Sequence, residues 1–338
     1  MKTRRPTQED VAKLAGVSQS AVSQVLNQSD SAIPEETRQR VLDVIDQLGY
    51  VPNKFAQGLR AQKTYTIASI IPDITNPFYP AFQRGIQSVT NQHGFDLIVY
   101  DTDEKEENER RSLRSLVSAG VDGAIVSLFH HGPEHLQPLI EQNIPVVLWN
   151  SSTTLNENLV IDTLFVDNVA MANNSVSYLI EKGHTRIGML TGLENSPPAL
   201  FRIRGYRKAL TEYSLPVEES LVKVGDFSEA GGYQGMKELL SLTPYPTAVF
   251  AANDLMALGA MIAIREAKLR IPEDIALIGI DDIPAARLVT PPLTTSSQMQ
   301  GNVGCRAAEM LFERIKGTAP ALSRIEELPF KFIIRESA

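Results

Sequence analysis

The sequence predicts an α/β protein led by a small all-helical domain. Three amphipathic helical patterns crowd into residues 7–49, short apolar runs alternate with helical patterns from residue 67 onward, and that rhythm restarts near residue 187. At 338 residues the chain is long for one core and suits a small domain followed by a large one.

The first helical pattern opens at Thr7, whose hydroxyl can cap free backbone amides with Asp10 three residues on, ahead of Val11, Ala12, Leu14 and Ala15. Gly16 ends it and supplies the backbone freedom of a tight turn. The second pattern runs from Ser18 to about Asn27 and buries Val22, Val25 and Leu26 at helical spacing, leaving Gln19, Ser20, Ser23 and Gln24 on the opposite face. The third starts at Pro34, sets Val41, Val44, Ile45 and Leu48 on one face and stops at Gly49. Small Ala12, turn-forming Gly16, Val22 and Val25 fall where two helices must cross closely, as in a helix-turn-helix whose second helix enters the major groove of DNA. The outward face of that second helix carries short hydrogen-bonding side chains and no acid, unlike an ordinary solvated face.

Residues 54–59 read as a short, weak helix and 60–64 as a polar linker. Beyond them, apolar runs at 67–71, 96–100, 123–127, 145–149, 186–191, 221–225, 247–251 and 275–280 alternate with helical patterns such as 82–93 and 108–119. Buried parallel strands joined by crossover helices, in two similar lobes, explain this rhythm. Segments 293–297 and 328–334 are expected to finish the lobes as crossing strands.

The charge is unevenly spread: residues 1–63 hold nine basic and seven acidic side chains in a chain of net charge −8, so a mildly basic head sits on an acidic body. Only the head needs to face phosphates. Hydrophobic residues make up 43%, which excludes disorder, and the lone Cys305 excludes an internal disulfide and fits a reducing compartment. The basic start has no apolar signal core and no 18-residue apolar run follows, so a cytoplasmic protein without a membrane partner is expected. There is no G-x-x-x-x-G-K-[ST], G-x-G-x-x-G or G-x-S-x-G motif, so neither an enzyme nor a cofactor is expected. His130, His131 and His135 lie in a loop, and no metal site is assigned to them. The charge run 104–111 reads as the solvated start of a helix.

Several stretches together resemble the lactose-repressor (LacI/GalR) family of bacterial transcription factors. They are Gln8-Glu9-Asp10-Val11-Ala12-Lys13-Leu14-Ala15-Gly16-Val17-Ser18, Val22-Ser23, Val25-Leu26-Asn27, Leu48-Gly49-Tyr50-Val51-Pro52-Asn53, Ile70-Ile71-Pro72-Asp73-Ile74-Thr75-Asn76-Pro77-Phe78, Gly183-His184, Ala252-Asn253-Asp254-Leu255-Met256-Ala257-Leu258-Gly259 and Pro291-Pro292-Leu293-Thr294-Thr295. The likeness runs from about residue 7 to 335. It implies a DNA-binding domain at 1–63 with a hinge helix at about 53–60, and a periplasmic-binding-protein-like sensor of two α/β lobes at 64–338.

By the same resemblance Gln19, Ser20 and Gln24 read bases, while Thr7, Ser18, Ser23, Asn27, Tyr50, Asn53 and Ala56 support the DNA interface and Leu59 wedges into the minor groove at the centre of a palindrome. The family commonly has Arg where this chain has Gln24; Arg suits guanine and Gln suits adenine. Gly58 is unusual in a hinge helix, where glycine costs about 1 kcal/mol against alanine. Asp73, Phe78, Asn150, Arg202, Phe227, Asn253, Asp281 and Gln298 are implied as effector ligands near strand ends. Their donors and acceptors, with Trp149 or Phe227 as a flat wall, fit a sugar; a purine stacked between aromatics is the alternative. The expectation is a homodimeric or higher-order repressor that binds a pseudo-palindromic operator and responds to a small molecule held between its lobes. Two rivals fail on the residues: a transporter's solute-binding protein would lack residues 7–60, and an enzyme with an appended head would need a catalytic constellation that is not found.

Overall fold

The computed structural model describes residues 6–26, 33–51, 63–149 and 160–338. The chain divides into two compact units, Met1–Thr64 and Tyr65–Ala338.

The first unit carries α1 (Gln8–Ala15), α2 (Gln19–Leu26) and α3 (Glu35–Leu48). Thr7 closes a reciprocal cap on α1: its Oγ1 accepts from Asp10 N at 3.3 Å while its own N–H donates to Asp10 Oδ2 at 2.8 Å. Gly16 follows at φ +67°, a left-handed conformation that glycine adopts without cost. Among the described residues the buried core consists of Val11, Ala12, Ala15, Val22, Val25, Val41 and Val44, with Leu48 and Tyr50 among those packed at its rim. Such small side chains let the three helices approach closely and leave the polar face of α2 outside.

The second unit holds two sheets. The first half of it contributes β1 (Thr66–Ile71), α4 (Phe78–Gln92), β2 (Asp96–Asp101), α5 (Glu106–Ala119), β3 (Gly123–Ser127), α6 (Gln137–Glu141), β4 (Val146–Trp149) and β5 (Asp162–Val166). Then follow α7 (Asn168–Glu181), β6 (Ile187–Thr191), α8 (Pro197–Glu212), β7 (Val222–Val224), α9 (Glu229–Leu240), β8 (Ala248–Ala251), α10 (Asp254–Glu266), β9 (Ala276–Ile280) and β10 (Thr294–Ser297). The chain closes with α11 (Gln300–Ile315), β11 (Ile325–Leu328) and β12 (Lys331–Ile333).

Strand order is β11-β5-β4-β3-β1-β2 in one sheet and β12-β10-β9-β8-β6-β7 in the other. Pairing is parallel throughout except where β12 runs antiparallel to β10. In each sheet the order reverses at the first strand, β1 or β6. Such a reversal sends successive crossovers to opposite faces and opens a crevice at the carboxyl ends of the strands beside it.

Helices and strands change lobes three times. α7 follows β5 directly yet packs on α8 in the second lobe, α11 follows β10 yet packs on α4 in the first, and β11 and β12 pair with different sheets. The α4–α11 contact depends on glycine: a Cβ on Gly85 would collide with the Gly301 carbonyl oxygen, and one on Gly304 with that of Phe82. The second lobe therefore begins at Asn168, earlier than the restart of the apolar rhythm near 187. β5 has no counterpart among the expected runs, and β2, expected to be buried, is a half-exposed edge strand that among the described residues pairs with β1 alone.

Candidate functional site

On the helical unit, Gln19, Ser20 and Gln24 stand exposed on one face of α2, with Ser23 half-buried beside them. Ser18 Oγ accepts from Ala21 N at 3.2 Å and lies 2.8 Å from Ser20 Oγ, so it caps α2 as Thr7 caps α1. Helix N-termini capped in this way present backbone amides suited to phosphate oxygens. Tyr50 is half-buried against the core, its N–H donating to Ile45 O at 3.0 Å. Asn27, Asn53, Ala56, Gly58 and Leu59, with the hinge helix at about 53–60, lie outside the described residues, as does Asn150.

In the second unit the strand ends of both lobes converge on one pocket. The first lobe lends Asn76, Phe78 and Tyr79 after β1, Glu104 after β2, Phe129 after β3 and Trp149 at the end of β4. The second lends Pro198 and Arg202 after β6, Phe227 after β7, Asn253 after β8, Asp281 after β9 and Gln298 after β10. The two contributions differ in kind. Aromatic rings dominate the first: Phe78 stacks on Trp149 at 6.2 Å and 16°, and meets Tyr79 edge-on at 5.0 Å. Polar groups dominate the second.

Arg202 is almost fully buried. Its Nε donates to Asn168 Oδ1 at 2.8 Å, its Nη1 donates to Ala252 O at 2.5 Å, and the guanidinium lies 5.8 Å from the centre of the Phe227 ring. Burial pulls its pKa down, and Asp281 opposes that by favouring the charged form. Asp281 Oδ1 accepts from Gln298 Nε2 at 2.7 Å, and its carbonyl accepts from Gln300 Nε2. Burial pushes its carboxyl up to about 6, against the pull of Arg202 and Gln298. Gln298 keeps its Oε1 buried with no partner among the described residues, an acceptor left for a ligand donor.

Asn253 caps α10 by accepting from Met256 N at 2.9 Å and donates Nδ2 to Phe227 O at 2.8 Å. It therefore holds Phe227, whose left-handed backbone (φ +65°) lays the ring across Gly192, where no side chain would fit. Asp254, fully buried behind it, accepts from Thr295 Oγ1 at 2.7 Å and from Ile283 N at 2.9 Å and anchors the loop that carries Asp281. Burial, reinforced by Asp281, raises its pKa well above the usual carboxylate range.

Six of the residues expected at the effector site line this pocket: Phe78, Arg202, Phe227, Asn253, Asp281 and Gln298. Asp73 does not; its Oδ1 accepts from Thr75 N and Oγ1, both at 2.7 Å, and shapes the loop after β1. Asn76, Tyr79, Glu104, Phe129 and Pro198 were not anticipated, although all lie just past a strand end. The charge run 104–111 is not a uniformly solvated helix start. Glu104 lines the pocket before the helix begins, and Glu109 is buried, accepting from Phe129 N at 2.9 Å and from His131 N and Nδ1, both at 2.8 Å. No His, Cys, Asp and Glu group among the described residues could hold a metal ion.

Residues 7–53 match the family model for bacterial regulatory proteins, lacI family, and residues 176–338 match that for a periplasmic binding protein-like domain. The ribose operon repressor of Escherichia coli (strain K12) is 36% identical over 320 residues, covering 94% of this chain and 95% of the relative. A lac repressor dimer solved with operator and the anti-inducer ONPF superposes with a TM-score of 0.87 at 27% identity, covering 99% of each chain. A LacI family transcriptional regulator from Enterococcus faecium, solved with bound ribose, has a TM-score of 0.73 at 30% identity and covers 80% of this chain and 98% of its own.

Proposed function

The chain belongs to the lacI family of bacterial regulatory proteins and is a DNA-binding transcriptional repressor, and from this we propose how its two units divide the work. A homodimer reads a pseudo-palindromic operator through Gln19, Ser20 and Gln24 of α2, and residues 64–338 sense a small, uncharged sugar in the pocket between the lobes. Its occupancy sets affinity for the operator by favouring one arrangement of the lobes over another. The protein works in the cytoplasm and turns over no substrate; among the described residues no helix is long and apolar enough to cross a membrane.

One observation carries the sugar reading: aromatic rings on one side of the pocket face Arg202, Asp281 and the unpartnered Gln298 Oε1 on the other. Sugars present an apolar ring face to the first and hydroxyl edges to the second. The ribose bound in the Enterococcus faecium relative supports the same class. Melting of the purified protein with pentoses, hexoses, their phosphates and purines tests it. A free sugar should raise the melting temperature, and Asp281→Asn should abolish the rise while the ligand-free protein still folds. Stabilisation by purines alone overturns the sugar reading.

A further inference from the structure

We propose that Glu104 is the charge-discriminating residue of this pocket, accepting a hydroxyl of an uncharged ligand and turning away the phosphorylated form of the same compound. This rests on the reading of the pocket as the effector site.

Glu104 is held in place from both sides of its backbone. Its N–H donates to Pro72 O at 2.8 Å, and its carbonyl lies 2.7 Å from His130 Nε2. It and Asp103 both sit at φ +51°, a left-handed conformation that side chains rarely adopt and that a surface loop keeps only when its surroundings enforce it. The β2–α5 loop thus delivers a carboxylate to a wall otherwise built largely from Phe78, Tyr79, Phe129 and Trp149.

Charge balance assigns the role. Among the described residues three ionisable groups other than Tyr79 line the pocket, and Arg202 and Asp281 offset one another. Glu104 is the surplus. Burial is the main reason its carboxyl is pushed up to about 7, and Asp73, Asp226, Asp103 and Asp101 add to the push. A ligand phosphate with a charge of about −2 would meet this acidic side of the pocket at short range, where Coulomb repulsion is least screened. A hydroxyl instead gains a charge-assisted hydrogen bond. Among the described residues Glu104 and Asn76 are the non-aromatic polar side chains that the first lobe brings to the lining, so a ligand bonded to Glu104 and to Arg202 or Gln298 spans both lobes.

The test is calorimetric titration at pH 8, where Glu104 is ionised, using a panel of pentoses and hexoses, each beside its phosphate ester. Wild type should bind a free sugar and prefer it to the ester by at least ~100-fold. Glu104→Gln should weaken the free sugar by about tenfold and reduce the preference to about tenfold or less. Asp103→Asn, a neighbour outside the lining, should leave the preference within about threefold. An unchanged preference in Glu104→Gln, an equal loss in Asp103→Asn, or a wild type that prefers the ester overturns the assignment while the effector reading stands. If no sugar and no ester binds the wild type, the sugar reading falls and the assignment with it.

Discussion

Asn253 directs both polar atoms of its side chain at the protein, one to the cap of α10 and one to the carbonyl of Phe227. Asn253→Ala should therefore cost about 1–2 kcal/mol of stability through the lost cap. Asn253→Asp should keep the cap and most of that stability, yet weaken ligand binding by releasing Phe227; urea unfolding and sugar titration of the two variants separate the roles. Carboxylates give the pocket a pH dependence of definite sign. Glu104 is pushed up to about 7 and Asp281 to about 6, so the folded chain holds protons that the unfolded chain has already released. Stability contributed by that excess of bound protons is present at low pH and lost as pH rises from the ordinary carboxylate range through 6 and 7. The ligand-free melting temperature should fall between pH 5 and pH 8, and Glu104→Gln should shrink the fall; an identical slope in the variant refutes the contribution. Arg202, Phe227, Asp281 and Gln298 were legible through the family resemblance, which sets them near the strand ends where parallel sheets bind ligands. Glu104 was not, since in one dimension it is one of a row of charges, and only the left-handed turn before α5 separates it from them.

At the scale of elements, the capped ends of the head are its most exposed dependence on single side chains. Thr7→Ala removes the Oγ1 that accepts Asp10 N and should destabilise the head by about 1 kcal/mol, read from the unfolding transition by far-ultraviolet circular dichroism. α2 offers a gain-of-specificity experiment: Gln24→Arg should shift the preferred base pair under that side chain from adenine towards guanine, by about 1–3 kcal/mol, in a selection from random duplexes. An unaltered selected site would remove Gln24 from the reading face. Local sequence identified α1 to α3 because capping, spacing and stop residues agree. It failed at β5, where Asp162 interrupts the apolar pattern; that buried carboxylate is held by Arg314 at 2.6 Å and Arg324 at 2.6 Å, partners that come from the far end of the chain. It also failed to mark β2 as an edge, because Leu97, Ile98 and Val99 look like any buried strand and only the missing neighbour on one side exposes them.

At the scale of the whole molecule, the pocket has a free volume of about 30 Å³, room for about one water and far too little for a sugar. We therefore expect a sugar to displace side chains or part the lobes as it enters. Trp149, the chain's single tryptophan, lines the pocket and reports on this directly. Stopped-flow fluorescence should show an association rate that levels off at high sugar concentration as opening becomes limiting; a rate rising linearly throughout would mean that the closed pocket admits its ligand unaided. The three passages of the chain between lobes, near residues 167, 299 and 330, bear on how such opening proceeds. Two bodies joined at a single point can swivel freely, and at two points they still rock and shear. A third connection removes most of that freedom and leaves close to one angular coordinate. Gln300 lies at one of these connections and also grips the Asp281 carbonyl, so a molecule seated at the strand ends pulls directly on the pivot. If the pocket senses ligand as proposed, the protein acts as a lever with a nearly fixed axis: ligands would differ in the angle they hold, and a substitution at a connection would rescale the response to all of them without touching any.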